Sequence, residues 1–168
     1  TRDPEALVEK ARLLIKGEDL EPDPKLALDI LTDLEENQTH AVPGMHFLLG
    51  YLHEEGLGTP QDMALAYQFY IKGAEQDDAK CMNNLGSMYE RGTGVAKDLA
   101  EAQKWYERAA ELGNEDALAN VERKNSTRRR NRLLSRSGNA TEWRQNTNFW
   151  RRFLQTAENN VCEADAIF

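Results

Sequence analysis

The chain has 168 residues, 40% apolar, 8% aromatic and 30% charged, with 21 basic side chains against 29 acidic ones. That composition suits one compact domain or a short repeat array and excludes a fully disordered chain. No apolar run approaches the roughly 18 residues a membrane-spanning helix needs, and two cysteines, Cys81 and Cys162, exclude a disulfide-dense scaffold.

A first helix pair is expected at 5–16 and 25–36, ahead of the Pro43-Gly44 break. The next two units are clearer. Sliding the sequence by 36 residues lays 49–76 over 85–112 with eleven identities in 28 positions and no gap. Among them are Leu49/Leu85, Gly50/Gly86, Glu54/Glu90, Asp62/Asp98 and Tyr70/Tyr106. A recurrence at this period is the mark of stacked helix hairpins, each hiding its apolar face only against the next.

In the better copy, Cys81, Leu85 and Met88/Tyr89 recur at helical spacing from Lys80 to Arg91. Gly92-Thr93-Gly94 then stops this helix, because glycine takes the left-handed conformation that closes a helix C-terminus. Asp98 is placed to cap the second helix, about Leu99 to Leu112, in which Ala102, Trp105/Tyr106 and Ala109/Ala110 share a face. Ala117 and Val121 restart the pattern, which fails at Glu122. The expected layout is an array over 1–124, with units at about 5–40, 45–80 and 81–116 and a half-unit at 117–124.

The run from Leu85 to Gly113, with its Leu-Gly, Gly-x-Gly, Trp-Tyr and Ala-Ala elements, resembles the Sel1-like repeat, a longer relative of the tetratricopeptide repeat. The likeness extends to 45–80 and, more weakly, to 5–40. It implies an all-α, right-handed α-α superhelix of about three helix pairs plus capping helices. It also implies a non-catalytic adaptor, scaffold or regulatory module that binds a protein or peptide, as Sel1-like proteins do in signalling, stress or degradation assemblies.

In such solenoids the first helix of each pair lines the concave wall. The positions five and two before, and two and five after, the Leu of Leu-Gly are then Gly44, Phe47, Tyr51 and Glu54, followed by Lys80, Asn83, Ser87 and Glu90, and by Asp116, Ala119, Arg123 and Ser126. From these, Phe47, Tyr51, Glu54, Asn83, Ser87, Glu90 and Arg123 are the expected partner-binding residues. Phe47 and Tyr51 offer an apolar patch, and the Asn83 amide can both donate to and accept from a peptide backbone. The same residues also read as ordinary surface, with Phe47 packing on the first unit.

The charge is uneven: net −6 over 1–42, −7 over 43–116 and +5 over 117–168. Residues 125–138 read as a basic linker, or as a helix paired to the acidic body, and Arg130-x-Arg132-x-x-Ser135 has the spacing of a basic-directed phosphosite. No aromatics alternate with these arginines, so nucleic acid is not the expected partner. From 139 to 161, a capping box (Asn139 to Glu142) precedes an amphipathic stripe of Trp143, Trp150 and Phe153. That helix caps the array, docks on another chain or, less in keeping with its Asn and Thr, lies on an anionic membrane.

No spacing of His40, His46, His53 and the cysteines suggests a metal site, and neither Gly-x-Gly follows a strand as a phosphate loop would. No cofactor and no catalytic set is expected. Cys81 and His53 read as packed residues. Three sequons, at Asn37, Asn125 and Asn139, point toward an endoplasmic-reticulum lumenal quality-control or degradation scaffold, whereas the lack of a disulfide pattern points to the cytoplasm. A start at Thr1 suggests a matured product or an excised piece.

Overall fold

Each helix begins where the sequence supplies a side-chain acceptor or a proline that suits a first turn. Asp3 accepts from the Glu5 amide and opens α1 (Pro4–Lys16). Asp23 accepts from the Leu26 amide and opens α2 (Pro24–Asn37), with Pro24 at the first helical position, where its missing N–H has no intrahelical use. Asp62, Asp78 and Asp98 each accept from two backbone amides and start α4 (Met63–Ala74), α5 (Ala79–Arg91) and α6 (Leu99–Glu111). Gly44, in the left-handed region, precedes α3 (Met45–Glu55) with no side-chain cap. Asn114 accepts from the Ala117 amide at the start of α7 (Glu115–Arg136). The computed structural model describes residues 3–17, 21–37 and 42–136, with side chains to residue 131.

The described residues contain these seven helices and no strand, arranged as successive antiparallel pairs: α1 with α2, α3 with α4, and α5 with α6. Each pair packs on the next through its first helix, α2 on α3 and α4 on α5, and α3 also meets α5 directly. The fold is the all-α superhelix of stacked helix hairpins that the periodicity predicts. Helix ends agree with expectation to within a residue or so, apart from the last. Nothing in 115–136 is glycine or proline, and α7 runs through Lys124 to Arg136, so of the two readings of the basic segment, linker or helix, its described part is helix. The chain divides into two compact units, 1–124 and 125–168, the second described only over 125–136, where it is helical.

Two cores lie in the first unit. One holds Val8, Ala11, Leu14, Ala27, Leu31, Leu49 and Leu52; the other holds Ala66, Tyr70, Cys81, Met82, Leu85, Met88, Tyr106 and Ala117. Phe47 packs against both. A fully buried Leu85 contributes roughly 1.5–3 kcal/mol relative to exposure, and it is 0% exposed. Cys81 is likewise 0% exposed and unpaired, and burial raises its thiol pKa well above the ordinary value, so it is an inert packing residue.

The repeated glycines are close-approach points. A Cβ on Gly86 would stand 2.7 Å from Tyr106 Cδ1, and one on Gly50 would stand 2.4 Å from Tyr70 Cε1. The tyrosine ring of the second helix of each pair (the B helix) therefore rests directly on the backbone of the first (the A helix). Gly94 (φ 71°) comes so near the previous unit that its Cβ would sit 2.3 Å from the Met63 carbonyl oxygen. The second glycine of the turn thus sets the distance between units.

Candidate functional site

The A helices α3 and α5 and the first turns of α7 lie side by side, joined by polar contacts from one to the next. Glu54 of α3 pairs with Arg91 of α5, Asn83 of α5 with Asn120 of α7, and Glu90 of α5 with Arg123 of α7.

At the α3 end, Phe47 and Tyr51 stack with ring centroids 6.5 Å apart, and Phe47 also lies 6.4 Å from Tyr70. Both rings are half-buried. The ammonium of the exposed Lys80 sits 5.5 Å above the Phe47 ring, a cation–π contact that keeps positive charge beside the apolar patch. Toward α7, Asn120 Nδ2 donates to Asn83 Oδ1 at 3.2 Å. Ser87 lies in hydrogen-bond contact with the Tyr106 phenol. Of the remaining wall positions, Asp116 and Ala119 are exposed.

Glu54 and Glu90 are not free wall residues. The Tyr70 hydroxyl donates to Glu54 Oε2 at 2.8 Å, while Arg91 Nη2 donates to Glu54 Oε1 at 3.0 Å. One unit on, the Tyr106 hydroxyl donates to Glu90 Oε2 at 2.9 Å, Arg123 Nη2 lies 3.1 Å from that oxygen, and Lys124 Nζ lies 3.8 Å away. Lys124 Nζ also lies 4.6 Å above the Tyr106 ring. Burial pushes the Glu90 carboxyl up, but the bonds from Tyr106 and Arg123 and the charges of Lys124 and Arg123 outweigh it, so its pKa falls below the ordinary 4.5. Burial and the Glu90 carboxylate together push the Tyr106 phenol up to about 12.

The repeat explains the geometry. Gly50 and Glu54, like Gly86 and Glu90, are four residues apart on one helical face; a tyrosine ring laid over the glycine delivers its hydroxyl to the glutamate. The sequence signal was present in the identities at Gly, Glu and Tyr across the 36-residue stride, but the tyrosines read as gap fillers and their hydroxyls had no evident partner. Arg91, Asn120 and the Lys80–Phe47 contact were missed as well, because they join one unit to the next.

A second polar cluster, also unexpected, joins units one and two. His46 is 6% exposed; its Nε2 lies 2.9 Å from Glu35 Oε2 and its Nδ1 lies 3.3 Å from Gln76 Oε1, while Lys72 Nζ donates to Glu35 Oε1. A cleft of about 250 Å³ opens beside it, lined by Pro43, Gly44, Gly73, Gln76, Asp77 and Asp78. His53 stacks on Phe69 at 5.6 Å, a packing role. Among the described residues no group of three His, Cys, Asp or Glu side chains is placed to hold a metal ion, and no helix is long and apolar enough to cross a membrane. Trp143, Trp150, Phe153 and Asn139 lie outside the described residues, as does the Ser135 side chain.

Stacked helix hairpins joined through their first helices define an α-solenoid repeat protein. The Sel1 repeat family matches residues 4–31, 44–78 and 79–114, more than half of the chain, and the chain belongs to that family. It is similar to the crystal structure of a Sel1 repeat protein from Oxalobacter formigenes (32% identity, TM-score 0.62, covering 71% of this chain and 48% of that one). It is also similar to c5321, a protective antigen of uropathogenic Escherichia coli strains with the same repeat fold (26% identity, TM-score 0.61, covering 68% of this chain and 24% of that one). Cysteine rich protein B of Helicobacter pylori shares the fold at 24% identity (TM-score 0.55, covering 68% of this chain and 88% of that one). This chain thus spans about half the length of the first of these and about a quarter of the second. A comparison with curated proteins gave no match. Sel1 repeat proteins are generally protein-interaction scaffolds.

Proposed function

We propose that this chain is a non-catalytic interaction module, an adaptor or a regulatory part of a larger protein, that holds an extended peptide or a partner domain on the face lined by α3, α5 and the start of α7. One observation carries the reading: the half-buried Phe47–Tyr51 stack and the Asn83–Asn120 amide pair lie on adjacent helices of one face. The aromatic pair suits a partner's apolar side chain, and the amides suit its backbone. Phe47 is unsuited to a test, because it also packs against both cores. The double variant Tyr51→Ala/Asn83→Ala is expected to weaken binding of a purified captured partner at least tenfold while leaving thermal stability nearly unchanged. Unaltered binding would remove this face from consideration.

The cytoplasm is the proposed compartment. Asn37 is the last residue of α2, its amide donating to Asp33, and Asn125 lies within α7, so both of these asparagines are held in helix. The lumenal scaffold reading predicts glycans at these positions in material from a secretory host, and glycopeptide mapping separates the two. Catalytic turnover abolished by changing His53 or Cys81 would overturn the adaptor reading.

A further inference from the structure

In two ion pairs of the proposed face, Glu54–Arg91 and Glu90–Arg123, the acid lies below and the base above, whereas Lys124, the second cation on Glu90, is itself largely buried. The Glu54 side chain is 13% exposed and its partner Arg91 54%; the Glu90 side chain is 25% exposed and Arg123 58%. The tyrosine hydroxyls from beneath hold both carboxylates down, so the pairs are neutral on paper yet present guanidinium to solvent. Lys80, exposed over the Phe47 ring, adds a third cation to the row. The exposed acids on these helices are Glu55 at the end of α3, Glu115 and Asp116 at the start of α7, and Glu122 beside Arg123.

We infer that the segment received by this face is an acidic peptide, its carboxylates meeting Lys80, Arg91 and Arg123 and an apolar residue seated on Phe47 and Tyr51. The inference rests on the reading of this face as the binding surface. It follows from charge complementarity against an unfavourable background: residues 43–116 carry net −7, so the bulk of the module repels an acidic chain. The cationic row is where that repulsion reverses, an arrangement that discriminates between partners and fixes register and orientation. Arginine suits the task, since its planar fork serves two carboxylates where an ammonium acts as a point charge.

The test uses fluorescence anisotropy with the full chain and three labelled ten-residue probes: alternating Leu-Glu, the same with Gln for Glu, and the same with Lys for Glu. The Glu probe is expected to bind at least tenfold more tightly than the Gln probe, with no binding of the Lys probe and a loss of affinity as salt rises from about 50 to 300 mM. Lys80→Gln, at an exposed site, should cost the Glu probe several-fold and leave the Gln probe unchanged. Arg91→Gln should do the same and Arg91→Lys should recover only part of the lost affinity, each variant being checked for unaltered helicity. Equal binding of the Glu and Gln probes, or of none of the three, overturns the acidic-partner inference. Binding of the Glu probe that is indifferent to Tyr51→Ala/Asn83→Ala overturns the choice of face itself.

Discussion

The Tyr106 hydroxyl reaches Glu90 across 16 residues of chain, from the B helix of a unit to its A helix, and Tyr70 repeats the bond to Glu54 one unit earlier. The bond fixes the carboxylate that in turn fixes Arg123, so a packing residue orients a wall residue.

Tyr106→Phe keeps the ring and removes the donor. Loss of a hydrogen bond to a charged acceptor is expected to cost about 1.5–3 kcal/mol, measured by urea denaturation at neutral pH. The pH response has a definite sign. The Glu90 carboxyl lies below its unfolded value of 4.5, so its stabilisation is present above that pH and is lost as pH falls through the folded value. The variant should therefore lose less stability than the parent between pH 6 and pH 3. An unchanged acid response would mean that Tyr106 does not hold Glu90.

Gly86→Ala places a methyl 2.7 Å from the Tyr106 ring and should destabilise by about 1–3 kcal/mol. Unit one aligns on unit two at an offset of 39 residues, Gly17 on Gly56, Asp23 on Asp62 and Ala27 on Ala66, which puts Ala11, Ile15 and Leu31 where Gly50, Glu54 and Tyr70 stand, and Ala11 and Leu31 are fully buried. The first unit has thus solved the same contact with a larger A-helix residue and a smaller B-helix one. Gly86→Ala with Tyr106→Leu should accordingly cost less than the sum of the two single changes, read as a coupling in a double-mutant cycle.

The Glu35 cluster gives an independent acid response. Burial pushes the Glu35 carboxyl up, but the bond from Lys72 and the charges of His46 and Lys72 draw it lower overall, beneath 4.5. Its contribution to stability is therefore complete above about pH 4.5 and lost below. Glu35→Gln should flatten that part of the acid limb, and so, in part, should His46→Met, the residue found at the equivalent buried position Met82. Thermal melts from pH 7 to pH 3 check both. Parallel curves for parent and variants would refute the linkage.

Cys81 should resist alkylation in the folded protein and react once urea unfolds it, since burial both encloses the thiol and raises its pKa. Peptide mass spectrometry after iodoacetamide treatment reads the outcome. Modification at a rate independent of urea would place the sulfur at the surface.

The fold was legible because its causes are local. Gly92, Asp98 and the 3.6-residue spacing of Cys81, Leu85 and Met88 act within one helix or turn, and each stands where the pattern puts it. The course of α7 beyond Lys124 stands open between linker and helix in the sequence, since the repeat pattern fails there while the helix, lacking any breaker, continues. The wall was only half legible. Its positions follow from counting along one helix, but whether a side chain is spoken for depends on the neighbouring layer. Thus Glu54 and Glu90 counted as open positions until Arg91 and Arg123 came down upon them from the next helix along.

Phe47 belongs at once to the proposed face and to both cores, so it ties the first layer to those that follow. Any chain lying on that ring leans on the joint. Occupancy would then register mechanically, as a stiffer spine whose first and later layers come apart together rather than one by one.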